Sequence, residues 1–170
     1  MPNCTNKLAL FGNTHEIQQL LAYVKGQDAN GDESNFTFHR IIPMPRDIER
    51  GNITFEQMTK TKNWYSWSLD NWNTKWDCGE VSIQCEEDYV LVTFVTAWSP
   101  PHPVIERLSV VFPAVGIAHS FVDEGWGFAG DISYHRGMVV ETFDATKDTE
   151  EFADMMNFVL DYEDHGGDDE

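Results

Sequence analysis

The stretch 80-EVSIQCEEDYVLVTFVTAWSPPHPVIERLSVVFP-113 decides the fold. Residues 80–85 and 89–97 read as a hairpin over the Glu86-Glu87-Asp88 turn. The second arm, YVLVTFVTA, is almost continuously apolar, which suits a central strand covered on both faces. SPPHP then opens a helix, because proline is tolerated in a first turn that has no intrahelical acceptor to serve. Val104, Ile105, Leu108, Val111 and Phe112 give that helix its buried stripe, and Pro113 ends it.

Outward toward the N-terminus, NKLALF (6–11) reads as a strand ending at Gly12. Asn13 is a suitable N-cap, with Glu16 three residues on. Ile17, Leu20, Leu21 and Val24 then recur at helical spacing up to a stop at Gly26. QDANGDES (27–34) is a polar loop. NFTFHRII (35–42) reads as a second strand, with Phe36 and Phe38 on one side, broken by PMPRD. Residues 43–79 read as an irregular or partly helical insertion.

Toward the C-terminus, residues 115–122, 127–134 and 138–143 read as three strands, separated by turns at Asp123-Glu124-Gly125 and Arg136-Gly137. A last helix begins near Asp148, with Phe152, Met155, Met156, Val159 and Leu160 on its apolar side. The order predicts an α+β fold. It is a ferredoxin-like antiparallel sheet with helices on one face, an aromatic-rich insertion and a C-terminal helix. Residues 1–162 are expected to form one domain, followed by a disordered acidic tail over 163–170.

Charge narrows the function classes. The chain carries 29 acidic and 11 basic residues, a formal net of −18. Fifteen of the acids fall in residues 121–170, against two basic residues there. Such a field repels nucleic-acid phosphates and anionic membranes and attracts basic protein surfaces, although acidity also serves plain solubility. No apolar run approaches the length of a membrane span, and no leader pattern opens the chain. Three cysteines, Cys4, Cys78 and Cys85, have no C-x-x-C spacing, so a reducing, cytoplasmic setting is expected. They cannot hold an iron–sulfur cluster in the usual four-thiolate way. No cofactor is expected.

The densest feature is WYSWSLDNWNTKW (64–76). Trp64, Trp67, Trp72 and Trp76, with Lys75 as counter-charge, are the candidate aromatic platform for a flat ligand or unstacked bases. The competing reading makes the insertion a lid on the sheet with the tryptophans as its core. AWSPPHP (97–103) reads as a rigid corner with Trp98 packing inward. His119 and His135, with Asp131 or Glu141, are the one weak metal constellation, and no residue set has zinc-finger or EF-hand spacing. No nucleophile motif appears, so no catalytic residue is assigned.

An opening MPN, then IIPMP (41–45), NWNTKWD (71–77), AWSPPHPVIE (97–106) and FAGD (128–131), resembles the YubB-type proteins of conjugative plasmids, phages and genomic islands. The resemblance runs over residues 1–135 and leaves 144–170 outside. It implies a ferredoxin-like fold and a mobile-element origin in a bacterial host, and it supplies no catalytic residues. This chain departs from the pattern at Cys4, where relatives often carry Trp, and at Asn73, where they often carry Gly. Asparagine also reaches the left-handed conformation.

Two functions follow as expectations. In the first, the chain is an interaction protein that blocks a restriction or CRISPR-type complex, its acids imitating DNA in a basic groove of a DNA- or RNA-handling partner. The acids concerned are Asp144, Asp148, Glu150, Glu151, Asp154, Asp161, Glu163 and Asp164, and direct DNA binding is not expected. In the second, the tryptophan cluster binds single-stranded nucleic acid or a nucleotide. An enzyme remains a third class, and a polar pocket around His102, His119 or His135 would support it.

Overall fold

The structure is a computed structural model that describes residues 3–60, 62–123, 125 and 127–160, apart from the side chains of 58–60. The chain runs β1 (Asn3–Phe11), α1 (Thr14–Val24), β2 (Gly26–Gln27), β3 (Glu33–Ser34), a 3-10 turn (Phe38–Arg40), α2 (Phe55–Lys60) and α3 (Trp64–Trp72). It continues with β4 (Gly79–Cys85), β5 (Tyr89–Ala97), α4 (His102–Val111), β6 (Gly116–Asp123), β7 (Phe128–His135), β8 (Met138–Thr146) and α5 (Glu150–Leu160).

Six strands form one antiparallel sheet in the order β4-β5-β1-β6-β7-β8. The first four, with α1 and α4 as crossovers, are the four-strand ferredoxin-like arrangement, and β7 and β8 extend it by hairpins. β1 is the central strand, with Leu8 opposite Val92 on β5 and opposite His119 on β6. The hairpin of β4 and β5 lies where expected, with β4 starting one residue earlier at Gly79, and Asn13 caps α1 by accepting from the His15 backbone N–H at 2.8 Å.

Strand alternation sorts the sheet into two faces. On one face Leu8, Leu10, Val92, Phe94 and Ile117 pack against Ile17, Leu20 and Val24 of α1 and Val104, Ile105 and Leu108 of α4. Val111 and Phe112 of the expected α4 stripe are only half-buried. On the opposite face a smaller cluster joins Val122, Ala129 and Ala145 to Phe152 and Val159 of α5. Lys7 of β1 also points there. Its ammonium donates to the Phe158 carbonyl at 3.0 Å and lies 4.5 Å from the Phe158 ring centre. A cation thus meets the negative end of the helix dipole.

The expected strand over 35–42 is not one. Phe36 and Phe38 are both fully buried, so alternation foretold the side chains. The backbone goes elsewhere. Thr37 N–H donates to the Val24 carbonyl at 3.0 Å, and Ile41 and Ile42 N–H both turn back to the Phe38 carbonyl. Phe38 N–H donates to the Asp77 carboxylate at 2.8 Å, which also accepts the Thr37 hydroxyl and, at 2.7 Å, Cys78 N–H. With its donors spent on a turn and on Asp77, the segment has none for a ladder. The connection from α1 to β4 therefore spans residues 25–78 with only the short β2–β3 hairpin, the 3-10 turn, α2 and α3 in it. No helix among the described residues is long and apolar enough to cross a membrane. The expected tail lies outside the described residues.

Candidate functional site

The aromatic insertion holds both wall and core. Trp72 is 1% exposed, donates its indole N–H to the Ile42 carbonyl at 2.9 Å and sits edge-on to Phe38. Trp67 meets Trp72 edge-on, with ring centres 5.0 Å apart, and Trp64 donates its indole N–H to the Gly51 carbonyl. Trp76 is 46% exposed. The four tryptophans therefore do not lie side by side as one stacking platform.

Three of them, Trp64, Trp72 and Trp76, instead line a cavity of ≈ 440 Å³ with Met44, Ser68 and Asp77, and with Arg50 and Asp28 also in its wall. The Ser68 hydroxyl is buried and has no hydrogen-bond partner among the described residues. A buried hydroxyl without a partner in a cavity wall is a polar anchor for a guest atom or a water. Burial pushes the Asp77 carboxyl above its usual value, against the opposing pull of its own hydrogen bonds.

Beside the cavity two distant strings of sequence are clamped together. Asn73 closes α3 in the left-handed conformation, φ 64°, which asparagine reaches more readily than most residues. Its side-chain amide donates to the Pro100 carbonyl at 2.9 Å, and the Ser99 hydroxyl donates to the Asn73 carbonyl. Trp98 stands at φ 73°, and Ser99 N–H donates to the Ala97 carbonyl at 2.9 Å across it. That is a γ-turn of the strained kind, rare for a bulky residue. Trp98 does not pack inward as expected. The turn holds its half-buried ring toward Tyr65, with ring centres 6.4 Å apart. The Lys75 ammonium lies 4.7 Å from the Trp76 ring centre, 5.3 Å from Trp98 and 5.9 Å from Tyr65. Sequence spacing showed Trp76 and Lys75 but had no means of finding Trp98 as the third wall.

The histidines do not assemble as the weak metal reading required. His119 is fully buried on the α4 face, and its Nε2 donates to Asn6 Oδ1 at 2.8 Å. Asn6 in turn donates to the Thr96 hydroxyl at 3.0 Å. His135 lies exposed at the end of β7, and Asp131 pairs across from Ser120, whose side chain alternates to the other face from His119. Burial, reinforced by the neighbouring His102, pushes the His119 pKa down to about 3. His102 stacks edge-on to His119 with ring centres 5.8 Å apart, and burial lowers its pKa as well. Among the described residues no three His, Cys, Asp or Glu side chains are grouped to hold a metal ion.

The acidic set divides. Asp144, Asp148, Glu150, Glu151 and Asp154 are exposed, while Asp161, Glu163 and Asp164 lie outside the described residues. Asp144 pairs with Gly130 and alternates with Ala145, so it faces the α4 side, where its charge acts on His102. Glu150, Glu151 and Asp154 ride on α5, which packs on the opposite face. Between the two faces runs β8, the last strand of the sheet, and on it Met138, Val139, Val140 and Phe143 are 43–69% exposed.

A family model described as "Ferredoxin-like domain in Api92-like protein" matches residues 71–163. The match takes in β4 to α5 and so reaches well past residue 135, into the acidic end that the sequence resemblance left out. The crystal structure of a protein Api92 from Yersinia pseudotuberculosis superposes with a TM-score of 0.67 at 11% identity, covering 88% of this chain and 99% of that one. At that identity the likeness speaks for the fold alone. No curated protein matches the sequence.

Proposed function

This chain belongs to the Api92-like family with a ferredoxin-like domain, and on that footing we propose that it works by contact with a basic protein partner, not by catalysis. The observation that supports the reading is β8. It is a nine-residue edge strand whose outer side pairs with no strand among the described residues. Edge strands are usually blunted with lysine or proline. This one carries Met138, Val139, Val140 and Phe143 exposed along with Glu141 and Asp144. An extended segment of a partner can pair with such an edge, drawing affinity from the backbone and selectivity from side chains. Charge selects its chemistry. A second copy would bring −18 against −18, whereas a basic segment is attracted.

The strings IIPMP, NWNTKWD and AWSPP point, within the family, to the YubB-type proteins of plasmids and phages. A host DNA- or RNA-handling complex, such as a restriction or CRISPR-type nuclease, is then the partner class. Mixed apolar and acidic contact on β8 favours an ordinary protein interface over pure imitation of DNA, because the acids do not form one row. The test compares capture of host-lysate proteins by the full chain, by Val140→Lys, and by a chain with Asp144, Glu150, Glu151 and Asp154 as amides. Val140 is the extra residue of the bulge between β7 and β8, so the charge enters without a core clash. An edge interface loses its basic partner in both variants. Pure mimicry loses it only in the amide variant and on raising salt. Equal capture by all three chains would refute both.

The cavity supports a second reading, a small flat ligand such as a nucleotide held between Trp64, Trp72 and Trp76. Saturable quenching of tryptophan fluorescence by nucleotides or short oligonucleotides would support it. A flat titration into the millimolar range would end it.

A further inference from the structure

Among the described residues, the Lys75 ammonium has no hydrogen bond and no ion pair, in a chain with a large excess of carboxylates. Three aromatic rings from separate places in the chain surround it instead. Tyr65 comes from α3, Trp76 from the loop after it, and Trp98 from the γ-turn after β5. An ammonium over ring faces is held by the ring quadrupoles, most strongly by tryptophan. We propose that Tyr65, Trp76 and Trp98 form a binding site for an alkylammonium cation, and that Lys75 is its resident, displaceable occupant.

The walls are built without the lysine. Asn73 and Trp98, both left-handed, are fixed by Asn73 to the Pro100 carbonyl, Ser99 to the Asn73 carbonyl and Ser99 N–H to the Ala97 carbonyl. The Thr74 hydroxyl holds the Trp76 carbonyl at 2.7 Å. None of these bonds uses the Lys75 side chain. A strained residue persists only where its surroundings over-determine it, and such positions gather at binding sites. A lysine needed only as a staple for the loop would be redundant with these bonds. The rings are also within reach of solvent, with Trp76 nearly half exposed and Tyr65, Lys75 and Trp98 partly so. The net charge of −18 raises the local concentration of any cation.

A cage occupied by its own side chain binds an outside cation with an affinity reduced by the fraction of time it stands empty. Removing the resident removes that penalty. The site stands apart from the β8 edge, so its test and the interface test fail independently. The full chain and Lys75→Ala are titrated with tetramethylammonium chloride while the indole N–H resonances are followed by NMR. The alanine variant is expected to bind about tenfold more tightly than the native chain. Trp98→Ala in the Lys75→Ala background should abolish the shifts. Choline should bind at least about tenfold better than its neutral isostere 3,3-dimethyl-1-butanol, as a cation–π site requires. If Lys75→Ala does not fold, Lys75→Gln keeps most of the stem and loses the charge, and the same comparison is made with it. A folded Lys75 variant with no saturable shift, equal affinity in native and variant chains, or equal binding of the neutral isostere would each overturn the proposal.

Discussion

Asp77 joins the insertion to the sheet, and its replacement measures how much that junction contributes. The carboxylate accepts from Phe38 N–H, Cys78 N–H and the Thr37 hydroxyl. In Asp77→Ala all three donors lose their acceptor. A buried donor left without a partner costs about 1–3 kcal/mol. The cavity beside Asp77 admits water to part of the gap, so the sum falls toward the lower end, about 3–5 kcal/mol. Asp77→Asn behaves differently. Its remaining oxygen still accepts from Phe38 and Cys78, and its amide can donate to Thr37, whose hydroxyl turns round. It also removes a charge that burial disfavours. Asp77→Asn should thus lie within about 1 kcal/mol of the native chain. Urea unfolding at pH 7, followed by tryptophan fluorescence, separates the two variants. Equal destabilisation by both would show that charge, not hydrogen bonding, holds the junction. An alanine variant as stable as the native chain would refute the account of why residues 35–42 are not a strand.

Gly130→Ala should destabilise by about 1–3 kcal/mol in thermal unfolding. A Cβ there would come within 2.5 Å of the Phe121 ring, itself packed against His102 and His119. His119 has a folded pKa depressed from 6.5 to about 3. Its contribution is present above pH 6.5 and lost as pH falls from there toward 3, so the native chain should lose stability over that window more steeply than His119→Phe. Asp77, shifted upward from 3.8, has the opposite sign. Stability lost as pH rises through its folded pKa should be missing from Asp77→Asn. Thiol labelling should modify Cys85 fast, because it is exposed, and leave Cys4 unmodified until the chain is unfolded. Cys4 is buried, and burial beside Asp123 pushes its pKa up to about 12.

What the sequence disclosed was whatever local spacing determines. The hairpin of β4 and β5, the cap of α1 and the buried Val104, Ile105 and Leu108 of α4 were legible because each is specified within a dozen residues. The segment 35–42 misled because alternation reports side-chain burial, and Phe36 and Phe38 are indeed buried. The acceptor that diverts its backbone is Asp77, 39 residues from Phe38, and no local pattern announces that. The acids of 144–154 looked like one patch. Alternation with Ala145 was enough to place Asp144 on the other face from α5, and that signal was there to be read. Trp98 is the harder case. Its role depends on an unusual backbone angle and on a loop that joins it from more than 20 residues away.

The central place of β1 has a consequence for how the protein is made. Of the six strands the first to be synthesised is a middle one of the sheet, and its partners β5 and β6 follow about 80 and about 110 residues later. Until then LALF and its neighbours form an unpaired apolar strand with two open edges, the kind of segment that aggregates or recruits a chaperone. Closing so long a loop makes the sheet a late event, and the nascent chain is safe only once residue 123 has emerged. Folding yield in the cell should therefore depend on the speed of synthesis between β1 and β5 more than on the stability of the finished sheet.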